Sequence, residues 1–161
     1  MLHRFATKQD FDPVYDLYMN EVSNPYLTYD SMGKNDFEII YQDLLKTNTL
    51  FVSENATKVV GTYRLIPKTD RQAHTLYLGG FAVKASAKGK GVGTEMLSGI
   101  QQKAIEESKK RIELTVSPEN IAAVHLYKKC GFKIEGTIRM SYKLSSTGKY
   151  YDEYLMAWID E

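Results

Sequence analysis

"KGKGVGTEML", residues 88–97, sets three glycines at alternate positions immediately ahead of an apolar helical stripe. Within and beyond it, Val92, Met96, Ile100, Ala104 and Ile105 recur on one helical face, with Glu95, Gln101, Lys103 and Glu106 among the polar positions, which predicts a core-facing helix. Ahead of it, "HTLYLGGFAVK" (74–84) reads as a strand. A strand, a glycine-rich loop and a helix N-terminus in that order make an anion site, because unpaired backbone N–H groups point outward and the helix dipole adds partial positive charge. Phosphate is the natural guest. Spacing rejects two nucleotide-binding versions of it: a P-loop requires Ser or Thr after Gly-Lys, where Gly91 follows Lys90, and the dinucleotide fingerprint requires a glycine where Thr94 stands and an acidic residue closing a second strand.

Working outward, "LHRFA" is a short first strand. Thr7 with Asp10 forms one helix start and Asp12 with Pro13 an equally good one. Phe11, Val14, Tyr15, Tyr18 and Val22 then recur at helical spacing, as do Phe37, Ile40, Tyr41 and Leu44 in a second helix. "TLFVSE" and "KVVGTYRLI" read as a hairpin. "RIELTVS" alternates Ile112, Leu114 and Val116 against Glu113, Thr115 and Ser117, a strand with one apolar face. Ser117 is placed to cap the next helix with Pro118 at its first position, and Gly131 to end it. "FKIEGTIRMSYKL" and "YYDEYLMAWI" close the chain as a long hairpin. The order β-α-α-β-β-β-α-β-α-β-β predicts an α/β (α+β) chain, a single domain over 1–161 with helices on both faces of a mixed sheet.

Composition narrows the function. Of 161 residues 43% are apolar and 25% charged, fitting one globular core, and a net charge of +1 favours neither nucleic acid nor a polybasic membrane surface. No apolar run reaches membrane-span length and the N-terminal stretch lacks a signal-peptide core, so a cytoplasmic protein is expected. The single cysteine, Cys130, excludes an internal disulfide and reads as a buried small residue, and three scattered histidines give no metal-ligand spacing.

Two spaced blocks carry a resemblance. "AKGKGVGTEML" resembles the (Arg/Gln)-x-x-Gly-x-(Gly/Ala) signature of the GCN5-related N-acetyltransferases (GNAT), with Lys88 at the Arg/Gln position and Gly91 and Gly93 at the glycines. "LTVSPENIAAVHLYKKCGFKIEG" is similar to the family's second block at Leu114, Val116, Asn120, Ala123, Leu126, Tyr127, Gly131 and Phe132. The C-terminal stretch resembles bacterial members that acetylate amino acids or small amines. The resemblance implies the GNAT fold, a mostly antiparallel sheet of about seven strands with four helices, and acetyl-CoA as the acetyl donor. By that resemblance its pyrophosphate sits on the amides of Lys88, Gly89, Lys90, Gly91, Val92, Gly93 and Thr94. The strand carrying Phe81, Ala82 and Val83 parts from "LTVS" around the pantetheine arm, the Val83 amide faces the thioester oxygen, and Asn120 and Ala123 lie along the carrier. Asn120 reads equally as a local helix cap.

Tyr127 stands at the family position whose hydroxyl lies near the cofactor sulfur. A phenol near pKa 10 gives its proton to a thiolate of conjugate pKa about 8.5 uphill by roughly 2 kcal/mol, so stabilisation by hydrogen bond competes with full transfer. Ribosomal-protein acetyltransferases of the family often carry a glutamate base twelve residues before this tyrosine, where Thr115 stands here. Glu113 lies on the same strand face about 7 Å further along, within reach through water and equally readable as a solvated or substrate-binding carboxylate. His74 lies about 30 Å from Val83 along a straight strand and reads as an edge residue. Asp152 and Glu153 are candidates for a cationic acceptor. "SNPYLTYDSM" lies where the family's acceptor lid sits, with Tyr26, Tyr29 and Met32 as an apolar wall or as packing residues. A missing strong base favours small or α-amines over lysine, because an amine of pKa near 7.8 is roughly a tenth neutral at pH 7 and a lysine amine only about one part in two thousand. The expectation is therefore an acetyl-CoA-dependent N-acetyltransferase for a small-molecule amine acting by direct transfer in a ternary complex. A CoA-binding sensor without turnover and a protein N-terminal acetyltransferase are the rivals, and family habit implies a homodimer.

Overall fold

Helical spacing and alternation resolve into seven strands and four helices. The computed structural model describes residues 1–161. The strands are β1 (Leu2–Phe5), β2 (Leu50–Asn55), β3 (Lys58–Pro67), β4 (Thr75–Val83), β5 (Arg111–Val116), β6 (Lys133–Lys143) and β7 (Tyr150–Ile159). The helices are α1 (Phe11–Met19), α2 (Lys34–Lys46), α3 (Val92–Glu106) and α4 (Ile121–Lys129). All seven strands share one sheet in the order β1-β2-β3-β4-β5-β7-β6. β1 with β2, β2 with β3, β5 with β7 and β6 with β7 pair antiparallel, and β4 with β5 pairs parallel. No helix is long and apolar enough to cross a membrane.

The chain divides into two compact units. The first comprises Met1–Leu65 with Gly80–Met96. Its core joins Val14 and Tyr18 of α1, Phe37, Tyr41 and Leu44 of α2, and Leu50 and Val52 of β2. Aromatic rings interlock there, Tyr18 with Phe37 at 5.5 Å between centroids and Phe11 with Tyr41 at 5.4 Å. Both helix starts read from the sequence contribute: Thr7 and Asp10 form a capping box around a 3₁₀ turn, and α1 follows with Pro13 in its first turn, where a missing N–H costs nothing. Arg4 holds Asp10 through two bonds of 2.8 Å and also reaches Glu54, so the turn is tied to β1 and β2. α1 stops before the expected Val22, which is exposed. Asn20 leaves helical geometry and its side chain accepts from the amides of Val22 and Ser23, a local turn that outcompetes helix propagation.

The second unit comprises Ile66–Gly79 with Leu97–Glu161. Ile112, Leu114 and Val116 of β5 are buried, while Arg111, Glu113 and Thr115 face the other way and are only partly covered. Ile100 and Ala104 of α3 are fully buried; Ile105, expected on the same stripe, is exposed near the helix end. α4 begins later than read from the sequence. Asn120 caps it by accepting from the Ala123 amide, while Ser117 instead takes the Glu119 amide in a turn of its own. Gly131 ends it as expected, at φ +86°, with the Phe132 amide bonded to the Tyr127 carbonyl and the Gly131 amide to that of Lys128. That pattern is a Schellman motif and fixes the last turn, where Tyr127 sits.

Candidate active site

The glycine loop is built by strand-to-helix geometry in the first unit. After β4 ends at Val83, a 3₁₀ turn over Ala85–Ala87 uses the amides of Ala87 and Lys88. Gly89 and Gly91 then take φ of +74° and +80°, a region that penalises any side chain, and no atom lies within 4 Å of where a Cβ would stand at either. The backbone is thus bare on that side. The Gly91 carbonyl accepts from the Glu95 amide at 3.0 Å, so the amides of Val92, Gly93 and Thr94 occupy the first turn of α3, where a helix offers them no carbonyl. Together with the dipole of a 15-residue helix, these donors suit a diphosphate. Lys88 and Lys90 are both exposed, and Lys88 Nζ donates to Ser23 Oγ at 3.1 Å. On β4, Ala82 is buried and Phe81 and Val83 are half-buried.

The expected acceptor wall divides. Tyr29 packs on Tyr18 and Phe37, and Met32 packs against the same core while its carbonyl accepts from the Tyr15 hydroxyl. Tyr26 is the exposed member, on a 3₁₀ turn (Asn24–Tyr26).

In the second unit, Tyr127 is buried on α4, its ring 5.7 Å from that of Phe132. Burial, and next the neighbouring Tyr77, push its phenol above the ordinary tyrosine range, so it carries its proton at neutral pH. Asn120 spends Oδ1 on capping α4, which is the local reading of that residue, and its amide donors take no part in that bond; Ala123 is the residue whose amide it caps. Cys130 is half-buried rather than buried, and its carbonyl accepts from Gln101 at 2.8 Å.

Glu113 differs from its expected character. It is no solvated carboxylate: Lys68 pairs with one oxygen and Arg111 Nε with the other at 3.0 Å, while Arg111 also grips Glu135 through two bonds of 2.9 and 2.6 Å. Burial works to raise the Glu113 pKa, and the bonds from Lys68 and Arg111 outweigh it, leaving the carboxyl below its usual range. A carboxylate held this way accepts a proton less readily than a free one.

β4 pairs with β5 over three rungs, Thr75 with Arg111, Leu76 with Ile112 and Tyr77 with Glu113. On the last of these Tyr77 reaches forward, its hydroxyl 3.1 Å from Thr115 Oγ1. Local pattern gives no sign of this contact, which comes from the place of Tyr77 on a strand parallel to the one bearing Glu113 and Thr115. Asp152 and Glu153 also have partners within the chain. Asp152 accepts from the Met140 amide at 2.8 Å and Glu153 from the Ser141 hydroxyl at 2.6 Å, bracing the irregular stretch of β6 between Ile138 and Tyr142.

Residues 11–132 match the family described as "Acetyltransferase (GNAT) family". The chain is 51% identical to the L-amino acid N-acetyltransferase AaaT of Escherichia coli over 49 residues, which is 30% of this chain and 29% of that protein, so this match spans well under half of either. It is 26% identical to the L-2,4-diaminobutyric acid acetyltransferase of Methylotuvimicrobium alcaliphilum over 122 residues, 71% of this chain and 69% of the relative. The fold is that of the spermidine N-acetyltransferase from Vibrio cholerae, solved in complex with CoA and spermine. The TM-score is 0.82 at 23% identity, over 98% of this chain and 94% of that one.

Proposed function

The chain belongs to the GNAT acetyltransferase family, and from that premise we propose that it moves acetyl from acetyl-CoA to the primary amine of a small molecule, an amino acid or related amine. Transfer is direct, within a ternary complex and without a covalent enzyme intermediate. The observation that carries this reading is the start of α3: two left-handed glycines with open space above them, followed by first-turn amides and a helix dipole. The amides of residues 89–94 hold the diphosphate, with Lys88 and Lys90 adding charge, the Lys88 amide itself being spent on the Ala85 carbonyl. The Val83 amide donates to the thioester oxygen, on which charge develops as the amine attacks. Tyr127, protonated at neutral pH, gives a hydrogen bond or its proton to the leaving sulfur.

The acceptor class is read from the state of Glu113. With Glu113 held between two cations, that carboxylate is poorly disposed to deprotonate a lysine ammonium, and amines of lower pKa need less help. Relatives named for an amino acid and for diaminobutyric acid support the same class. Thr115, where ribosomal-protein acetyltransferases of the family often carry a glutamate, is the feature a non-catalytic CoA sensor would share.

A screen by mass spectrometry of acetyl-CoA against free amino acids, diamines, polyamines and short peptides tests the reading. Acetylated small amines are expected, with turnover about 100-fold lower in Tyr127→Phe. Product with peptides alone would assign a protein N-terminal acetyltransferase, and binding without product on any amine would assign the sensor.

A further inference from the structure

We propose that Glu153, beside the stacked rings of Tyr142 and Tyr151, is a specificity-determining residue that holds a second ammonium group of the acceptor, so that a diamine or diamino acid is preferred over a monoamine. The inference rests on the acetyltransferase reading above and deepens it.

Strand register puts these residues on one face. Thr115 of β5 stands opposite Leu155 of β7, and side chains two apart on a strand share a face, so Glu153 and Tyr151 line up with Leu155 and Thr115. Burial follows the same alternation: Tyr151, Glu153 and Leu155 are half-buried, Tyr150 and Asp152 exposed. From β6, Ile138 lies opposite Glu153 and Tyr142 opposite Tyr151, and the two tyrosine rings stack at 5.3 Å between centroids and 17° between planes. The ladder is irregular between Ile138 and Tyr142, and there the Ser141 hydroxyl donates to Glu153 Oε2 at 2.6 Å.

What marks Glu153 is its uncompensated charge. Glu113, on the same face, is held by Lys68 and Arg111, while Glu153 has the Ser141 hydroxyl and no cation of the chain within ion-pair distance. Lys143, next to Tyr142, is turned to the opposite face, where its Nζ stands 5.5 Å from the centre of the Tyr150 ring. A carboxylate accepts at both oxygens, so Oε1 is left for a ligand. A half-buried carboxylate beside aromatic rings suits an ammonium group: its N–H groups donate charge-assisted hydrogen bonds to oxygen, and ring faces attract the cation.

Reach sets the substrate class. β4 pairs with β5 only as far as Tyr77 and Glu113, and Leu114, Thr115 and Val116 run on without a β4 partner; in the acetyltransferase reading the pantetheine arm follows that stretch. From Thr115 to Glu153 the path is one strand across and two residues along, about 8 Å between Cα atoms. An acceptor whose reacting amine lies beside Thr115 spans it with a spacer on the order of three to five carbons, at roughly 1.3 Å of advance per bond. Exposed Ile138 and half-buried Leu155 give that spacer an apolar floor. At neutral pH the second amine stays an ammonium and pairs with Glu153 while the first reacts in its neutral form.

The test uses the full chain with acetyl-CoA, straight-chain diamines of about three to five carbons, and the matched monoamines in which a methyl group replaces one ammonium. For the parent, kcat/KM should favour the best diamine over its monoamine by about 10-fold to 100-fold. Glu153→Gln, which keeps an oxygen for Ser141, should raise the diamine KM by about that factor with kcat within about threefold, while monoamine kinetics and the acetyl-CoA Kd stay within about twofold. Glu153→Asp should recover part of the loss, and Tyr151→Leu should raise the diamine KM about threefold. If a variant folds poorly, the parent's diamine-to-monoamine ratio still decides. A parent that acetylates both members of a pair alike, or a Glu153→Gln variant that loses equally on both, would overturn the second-ammonium site while leaving the acetyltransferase standing. A parent that acetylates no amine would overturn both.

Discussion

Both oxygens of Glu113 are taken, one by Lys68 and the other by Arg111, and its side chain is only 12% exposed. The folded carboxyl thus binds a proton less readily than the unfolded one, whose pKa is about 4.3. The stability it contributes is fully in place above that unfolded value and is lost as pH falls through the lower folded value. Acid unfolding followed from pH 6 downward should accordingly be steeper for the parent than for Glu113→Gln. At pH 7 the variant should be less stable by about 1–2 kcal/mol, because Lys68 and Arg111 lose their shared partner. Equal acid slopes would remove Glu113 from the pH response. Tyr18 presents the opposite case, a fully buried hydroxyl that finds no partner in the protein. Removing an unsatisfied buried group is neutral or favourable, so Tyr18→Phe should match the parent or gain up to about 1 kcal/mol in denaturant unfolding. A loss larger than that would mean an ordered water already satisfies the hydroxyl.

Among the elements, the glycine turn of the first unit and the Schellman turn of the second each have a separable signature. Gly91→Ala puts a methyl group on the bare side of the backbone at φ +80° and should weaken acetyl-CoA binding tenfold or more by calorimetry. Gly131→Ala strains the end of α4 at φ +86° and brings a methyl 3.3 Å from the Trp158 ring. It should cost about 1–2 kcal/mol of stability, read from the denaturant midpoint, and lower kcat through the displaced Tyr127 more than it changes acetyl-CoA affinity. Unchanged stability would deny that turn its role. These two turns were legible in the sequence because glycine is nearly alone in tolerating their backbone, and β5 was legible because its period of two holds over every residue. Element ends were less so. Ser117 and Asn120 are both good caps, and Asn20 ended α1 through a side-chain turn that helical periodicity does not encode. The Glu113 face followed from alternation, but its partner Lys68 comes from just beyond β3 and Tyr77 from the parallel register of β4, neither of which local pattern reveals.

Across the whole molecule the net charge is +1, so on the proposed function attraction for a polyanionic carrier is local, through Lys88, Lys90 and the amides that follow them. A ligand that binds only the folded chain stabilises it by about 2.7 kcal/mol at 100 times its Kd. For a chain of this size that raises the melting temperature by about 5–10 °C. Acetyl-CoA should produce such a shift, and a flat melting temperature at saturating concentration would mean no specific binding. The measurement that reaches furthest is calorimetric titration with acetyl-CoA beside acetyl-pantetheine, which keeps the thioester and lacks the diphosphate. One acetyl-CoA is expected to bind per chain, and acetyl-pantetheine at least 100-fold more weakly. Equal affinities, or no heat from either, would contradict it.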